Sequence, residues 1–384
     1  MLGLGVNAHA GVTLGLSGLP LVIPDIQQHF GVSLTVAAII ANAPGLGVLS
    51  ALVAWGALAD RRGERLVLGL GVGLAAVLFA AVTLVERIWA VIALLALAGA
   101  AGCAALVGGG RIVLRWFLPP ERGLAMGVRQ VSYTLGMAVA AFVLPPVSRA
   151  HGLSGVLVVC AGTCLLAAVL AAAFLAEPPR GTARADAGPA GSPYRQPALW
   201  RVHATSALHA VPQIVVGTYG VACLVGVYGW DGVDAGRLFG FAAIGGAVIR
   251  VAVGRWSDVT GRRMAPLRLI TCVTLGVLAL LVVGTVTRSW LGAAMLALAA
   301  LITVAGNGLA YLAAGELAGP AAAGRVLGTH NTVQNVVALA TTPLAGLLII
   351  GGGYGAAFAA GLVCALISLP VIPVRAEKRT PRPR

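Results

Sequence analysis

Two short stretches concentrate the charge that this chain otherwise avoids. GALADRRGERLVL, at 56–68, packs five charges into six residues, and GRWSDVTGRRMAPL, at 254–267, repeats the order glycine, acid, glycine, basic. A carboxylate at a helix end can accept hydrogen bonds from the positive N-terminus of a helix in the other half of the chain, and flanking guanidiniums can hold it there. The glycines permit a tight turn and a close helix approach. This is chemistry for holding backbone together, not for making or breaking covalent bonds. The plainer alternative is that the charges only mark a polar loop. No HExxH, no GxSxG and no cluster of acids is present, so an enzyme acting within a membrane is disfavoured. The glycine runs at 69–73 and 108–110 lack a following Lys-Ser/Thr and are not phosphate loops. The six cysteines all fall in apolar runs, where packing is the expected role, and no cofactor or metal is expected.

The elements that must position these charges follow from composition. Of 384 residues, 59% are hydrophobic and 10% charged, with a mean hydropathy of +0.95. No soluble core could hide that much apolar surface, whereas a membrane-spanning helix needs about 20 apolar residues. Twelve runs of that kind are predicted, at roughly 4–24, 35–58, 66–85, 88–110, 124–147, 152–176, 203–227, 237–255, 266–287, 290–312, 326–350 and 354–374. The fold class expected is therefore an all-α integral membrane protein with the lipid bilayer as its surroundings. The net charge of +14 does not indicate nucleic acid, because the arginines sit at the ends of apolar runs. Arg61, Arg62, Arg65, Arg115, Arg122, Arg262, Arg263, Arg325 and the basic tail fall on one side; Arg87, Arg149, Arg237 and Arg288 fall on the other. The positive-inside rule makes the richer side cytoplasmic and puts both termini there.

The chain also repeats itself. A shift of 198 lays Gly56, Asp60, Gly63 and Arg65 on Gly254, Asp258, Gly261 and Arg263, and lays FGVS at 30–33 on YGWD at 228–231. A shift of 201 lays RGLAMGVRQV, from Arg122, on AGRVLGTHNT, from Ala323. An even number of spans per unit returns the chain to the same side, so the halves are expected to be parallel six-helix repeats. The organisation read from this is an N-terminal lobe at 1–176, a cytoplasmic linker at 177–202, a C-terminal lobe at 203–374 and a basic cytoplasmic tail at 375–384.

With twelve spans, a central linker and the doubled loop motif, the chain resembles the major facilitator superfamily of transporters over essentially its whole length. That family's loop signature, G-x-L-x-D-R-x-G-R-R/K, is matched by Gly56, Leu58, Asp60, Arg61, Gly63 and Arg65, and the second copy keeps Gly254, Asp258, Gly261, Arg262 and Arg263. The resemblance implies alternating access, with these residues as a conformational latch that stabilises the outward-open state and breaks for the inward-open one. One departure stands out: Glu64 occupies the place where the family usually has a base, and span 4 ends with Arg111 and Arg115. An ion pair of inverted sign is the expectation. Span 4 lacks the family's frequent arginine, and only Gly127 and Gly136 meet the antiporter pattern of span 5.

The resemblance further implies that spans 1, 4, 7 and 10 line a pathway, flanked by 2, 5, 8 and 11. Polar residues on those spans are costly in a bilayer and are the substrate-binding candidates. They are Arg129 and Tyr133 on span 5, His209 and Gln213 on span 7, Asn307 and Tyr311 on span 10, and His330, Asn331, Gln334 and Asn335 on span 11. The alternative for each is hydrogen bonding that holds a lobe together. Arg129 lies seven residues after Arg122, roughly 10 Å further along a helix. An arginine at such depth costs about 2.5–3.5 kcal/mol unless it snorkels or faces a wet cavity. The function expected is secondary transport of a small organic solute, plausibly anionic and coupled to protons through histidine, in a bacterial plasma membrane, by a monomer. A drug or metabolite efflux antiporter of the same fold is the alternative; a transporter-like sensor is more remote.

Overall fold

The computed structural model describes residues 1–176 and 192–377. Most of the expected linker and the tail from 378 onward lie outside the described residues. Among the described residues, ten helical stretches are long and apolar enough to cross a membrane. Helices are what a bilayer demands, since only they and closed barrels satisfy every backbone group internally. Side chains on their outer faces, such as Leu70, Val77, Phe142 and Leu347, are exposed and apolar, a surface suited to lipid. The protein is a multi-pass membrane protein.

In chain order the helices are α1 (Leu2–Gly18), α2 (Ile23–Phe30), α3 (Leu34–Arg62), α4 (Glu64–Val82), α5 (Ile88–Gly102), α6 (Ala104–Trp116), α7 (Arg122–Phe174), α8 (Pro197–Tyr228), α9 (Gly232–Thr260), α10 (Met264–Val286), α11 (Trp290–Ile302), α12 (Asn307–Ala318) and α13 (Ala323–Val371). Two of them are far longer than one crossing needs. Each holds one non-helical glycine: Gly152 in α7, with φ 65°, and Gly353 in α13, with φ 73°. Reading each as two spans is compatible with the expected twelve.

Several spans differ from expectation: the one expected at 4–24 divides into α1, a 3-10 turn at Leu19–Val22 and α2, and α9 runs five residues beyond 237–255 at each end. α8 begins at Pro197, ahead of 203, because a proline's missing N–H costs nothing in the first turn. The spans expected at 88–110 and 290–312 are each interrupted, at Cys103 and over 303–306. Hydrophobic runs carry no signal for such breaks, because the apolar pattern continues through them.

The repeat reaches down to backbone dihedrals. Gly31 and Gly229 both adopt positive φ, 61° and 68°, and end the helices before them. Two residues later Ser33 and Asp231 occupy equivalent places and each caps the next helix, accepting the N–H of Val36 at 3.4 Å and of Val233 at 2.8 Å. Gly63 and Gly261 likewise both have positive φ at the ends of α3 and α9.

By contacts the described chain forms two units. Unit 1 contains residues 1–117, 129–176 and 318–332; unit 2 contains 118–128, 192–317 and 333–377. The core of unit 1 runs through Val12, Ile40, Val72, Phe79, Leu95, Leu144 and Val156. Inside it α3 and α5 touch backbone to backbone. A Cβ on Gly47 would lie 1.7 Å from the Ala96 carbonyl oxygen, and one on Gly99 would lie 1.9 Å from that of Pro44. Lipid tails are as apolar as leucine, so close van der Waals contact of this kind replaces the hydrophobic drive of a soluble core. The core of unit 2 contains Val215, Leu224, Leu278, Leu281, Leu296 and Phe358.

Candidate functional site

The doubled loop motif builds two matching arrangements, one in each unit. In unit 1, Asp60 stands near the end of α3 and its carboxylate meets the first turn of α13. Oδ1 accepts the N–H of Gly324 at 2.7 Å and Oδ2 that of Arg325 at 3.0 Å. In unit 2, Asp258 near the end of α9 meets the first turn of α7, accepting the N–H groups of Gly123 and Leu124, both at 2.8 Å. The first N–H groups of a helix have no intrahelical partner and carry the positive end of its dipole, so a buried carboxylate is well matched to them. Each contact joins a span from the first half of the sequence to one from the second half.

Glycines make the approach possible. A Cβ on Gly56 would sit 2.2 Å from the Gly324 carbonyl oxygen, and one on Gly324 would sit 2.3 Å from that of Gly56. Gly123 and Gly254 stand in the same mutual relation, at 2.3 and 2.1 Å. Any other residue at these four positions would push the helices apart.

The supporting charges differ between the copies. In unit 1, Arg111 on α6 pairs with Asp60 and donates through Nε to Glu64 at 2.8 Å, while Arg115 reaches Glu64 at 2.7 Å. The expected ion pair of inverted sign is present, and Glu64 is buried. In unit 2, Arg263 donates to Asp258, to Ser257 and to the Pro119 carbonyl, each at 2.6 Å. It also faces Glu316 at 3.5 Å, and Arg122 faces the same carboxylate at 3.7 Å. Burial by itself would lower the Arg263 pKa, but Glu316 and Asp258 outweigh it and raise the value.

Not every motif residue joins its carboxylate. Arg65, which the repeat aligns with Arg263, instead donates to the Ala172 carbonyl at the end of α7, at 2.7 Å. Arg61 is exposed and Arg262 half-buried. Arg325 adds a looser contact to Asp60 at 3.4 Å. Residues that the motif alone does not name, Arg111, Arg115, Glu64 and Glu316, complete the two networks. Their signal in the sequence is their position at helix ends in a chain with few charges.

The polar residues within the spans divide between the units. In unit 1, Arg129 is buried on α7, donating to the Leu106 carbonyl at 2.5 Å and to Gln130 at 3.2 Å. Gly109 on α6 makes room for it, since a Cβ there would lie 3.1 Å from Arg129 Nε. One turn along, Ser132 is 2.6 Å from Nδ1 of His9 on α1 and donates to the Arg129 carbonyl. His330 is buried, Asn331 half-buried and Tyr133 exposed. In unit 2, Asn307 donates to Gln213 at 2.8 Å, joining α12 to α8 beside the interruption at 303–306. Gln334 donates to Ser206 at 2.6 Å, Tyr311 is buried, and Asn335 is half-buried. His209 lies 3.0 Å from Ser368 and 3.1 Å from Thr271, so its ring ties α8 to α10 and to the last part of α13. That is the helix-holding alternative for this residue. Within unit 1, His9 and Ser132 lie beside the buried arginine.

Comparisons with known proteins agree with this architecture. A family model described as Major Facilitator Superfamily matches residues 7–342. An uncharacterised MFS-type transporter of Mycobacterium tuberculosis (strain ATCC 25618 / H37Rv) is 39% identical over 376 residues, covering 97% of this chain and 83% of the relative. Among solved structures, the human organic anion transporter MFSD10 superposes with a TM-score of 0.77 at 17% identity, over 97% of this chain and 98% of that one. The E. coli fucose:proton symporter also superposes with a TM-score of 0.77, at 14% identity, over 98% of each chain. At such identities the solved structures speak for the fold alone. A multi-pass all-helical fold, a doubled acid-and-glycine motif and a family match across most of the chain lead to one conclusion: the protein is a transporter that belongs to the major facilitator superfamily, not an enzyme.

Proposed function

We propose that this protein is a secondary active transporter of a small organic anion, working by alternating access in a bacterial plasma membrane with both termini cytoplasmic. The two lobes, 1–176 and 203–374, exchange a central site between the two faces. The contacts of Asp60 with α13 and of Asp258 with α7 act as latches, formed in one state and broken in the other. Gly56, Gly63, Gly254 and Gly261 let them close, and Arg111 and Arg263 hold the carboxylates in place.

The observation that carries the anionic reading is the buried Arg129, cradled at Gly109 and accompanied by Gln130, Ser132 and His9. A guanidinium presents a rigid fork of donors that matches a carboxylate, and a span is a costly place for it unless it serves function. No predicted span holds an interior Asp or Glu, so a cationic solute would find no carboxylate there. Proton coupling falls to histidine, whose reference pKa of about 6.5 suits a carrier, and His9 is joined through Ser132 to the Arg129 carbonyl.

The test is thermal unfolding of the purified protein against a panel of mono- and dicarboxylates, inorganic phosphate and lipophilic amines. A carboxylate should stabilise the wild type, and Arg129→Ala should abolish the shift. Arg129→Lys keeps the charge but loses the fork. It should weaken binding about ten-fold or more, since one charge-assisted hydrogen bond is worth roughly 1.5–3 kcal/mol. Stabilisation by amines alone would favour the efflux antiporter instead, and an unchanged carboxylate shift in Arg129→Ala would make the residue a structural anchor.

A further inference from the structure

The amino end of α10 is capped from far along the chain. Its N-cap residue, Arg263, makes no side-chain cap, and the first turn of α10 holds no acid. The Glu377 carboxylate, 113 residues beyond Met264, accepts that residue's N–H at 2.9 Å and the Arg263 N–H through the same oxygen, Oε1. Oε2 is buried with no hydrogen-bond partner among the described residues, so the carboxylate's ties run to this helix end. In the first half the matching helix, α4, carries its own acid, Glu64, in its first turn. A helix N-terminus favours a negative charge, and α10 takes its own from Glu377.

The residue whose backbone Glu377 holds is the one whose side chain gathers the second carboxylate network. Arg263 reaches Asp258, Ser257 and the Pro119 carbonyl at 2.6 Å each. Three bonds at that length from one guanidinium require a fixed starting point for the side chain. We propose that Glu377 is a positioning residue for Arg263: by pinning the first turn of α10 it aims the guanidinium at Asp258, and so maintains the contact of Asp258 with Gly123 and Leu124. This rests on the latch reading of Asp258. It makes the segment that follows the last span part of the transport machinery, as a strap on the second latch.

Hydrogen–deuterium exchange on the full-length protein tests it without a known substrate. The amides of Gly123 and Leu124 report the latch, and those at 264–267 report the helix end. Glu377→Ala and Arg263→Ala should both speed exchange at Gly123 and Leu124. The expected increase is roughly five-fold, the effect of losing one cap-sized interaction. The double variant should go no further than Arg263→Ala alone, because both act through one contact. Glu377→Gln keeps an acceptor oxygen and should show a smaller effect; it also serves if Glu377→Ala fails to fold. Faster exchange confined to 264–267 would reduce Glu377 to an ordinary cap and overturn the proposal, as would additive effects. If Arg263→Ala itself leaves Gly123 and Leu124 unchanged, the latch reading falls first.

Discussion

Glu64 and Arg115 form an ion pair of 2.7 Å, and in the second half Arg263, one position beyond the residue aligned with Glu64, faces Glu316, aligned with Arg115, at 3.5 Å with the signs exchanged. In the first half the acid sits on the loop side and the base at the end of α6; in the second half the base precedes α10 and the acid ends α12. Coulomb attraction is indifferent to which partner carries which sign, so duplication can preserve the tie while exchanging the charges. The neighbours are not indifferent. Arg111 needs both Asp60 and Glu64, and the pair is buried.

Glu64→Gln should therefore destabilise the protein well beyond a surface substitution. Removing one member of a buried ion pair costs about 3–5 kcal/mol, and Asp60 remains to Arg111, so the lower end is expected. Thermal unfolding in one detergent, compared with Glu121→Gln as an exposed control, measures it. Equal melting temperatures for the two variants would show that Glu64 contributes nothing.

The reciprocal glycines predict a second outcome. Gly324→Ala and Gly123→Ala would each place a methyl within 2.3 Å of a backbone oxygen that cannot rotate away. Each should open its latch as fully as Asp60→Asn or Asp258→Asn. Cysteines introduced at Thr329 or Val128 should react faster with maleimide in these variants than in the parent protein. Unchanged labelling in both alanine variants would mean that the contacts are not held closed in solution.

Gly109→Ala tests the arginine cradle without touching the arginine. Its Cβ would lie 3.1 Å from Arg129 Nε, close enough to force the guanidinium to shift. If Arg129 binds the solute, Gly109→Ala should weaken the carboxylate-induced thermal shift while leaving the unfolding free energy of the unliganded protein within about 1 kcal/mol of wild type. Full carboxylate affinity in this variant would remove Arg129 from the site.

Orientation is the fourth prediction. Arginine asymmetry puts Arg62 inside and Arg288 outside. In a background without the six native cysteines, a cysteine replacing Arg288 should react with impermeant maleimide in intact cells. One replacing Arg62 should react only after the membrane is opened. The reverse pattern would invert the topology.

Much of this is legible in the sequence alone. The spans are long apolar runs, and no other fold hides them. The repeat is legible because glycines at 31, 63, 152, 229, 261 and 353 occupy a conformation that other residues resist, and a shared backbone needs them at matching places. Ser33 and Asp231 differ in type but do the same capping work in the two halves. The pairing of Asp60 and Asp258 with helix starts follows from the charge of a helix end. What the sequence could not assign is which long side chain reaches which partner. Arg65 and Arg263 occupy equivalent positions, yet one ends on the Ala172 carbonyl and the other on Asp258. In the first half Arg111 already holds Asp60, whereas in the second half its aligned position is Leu312, and the carboxylate is left to Arg263. The cap from Glu377 is hidden for the same reason. A flexible arginine or a distant glutamate settles where the packed helices leave a complementary group, and only the tertiary structure decides which group that is.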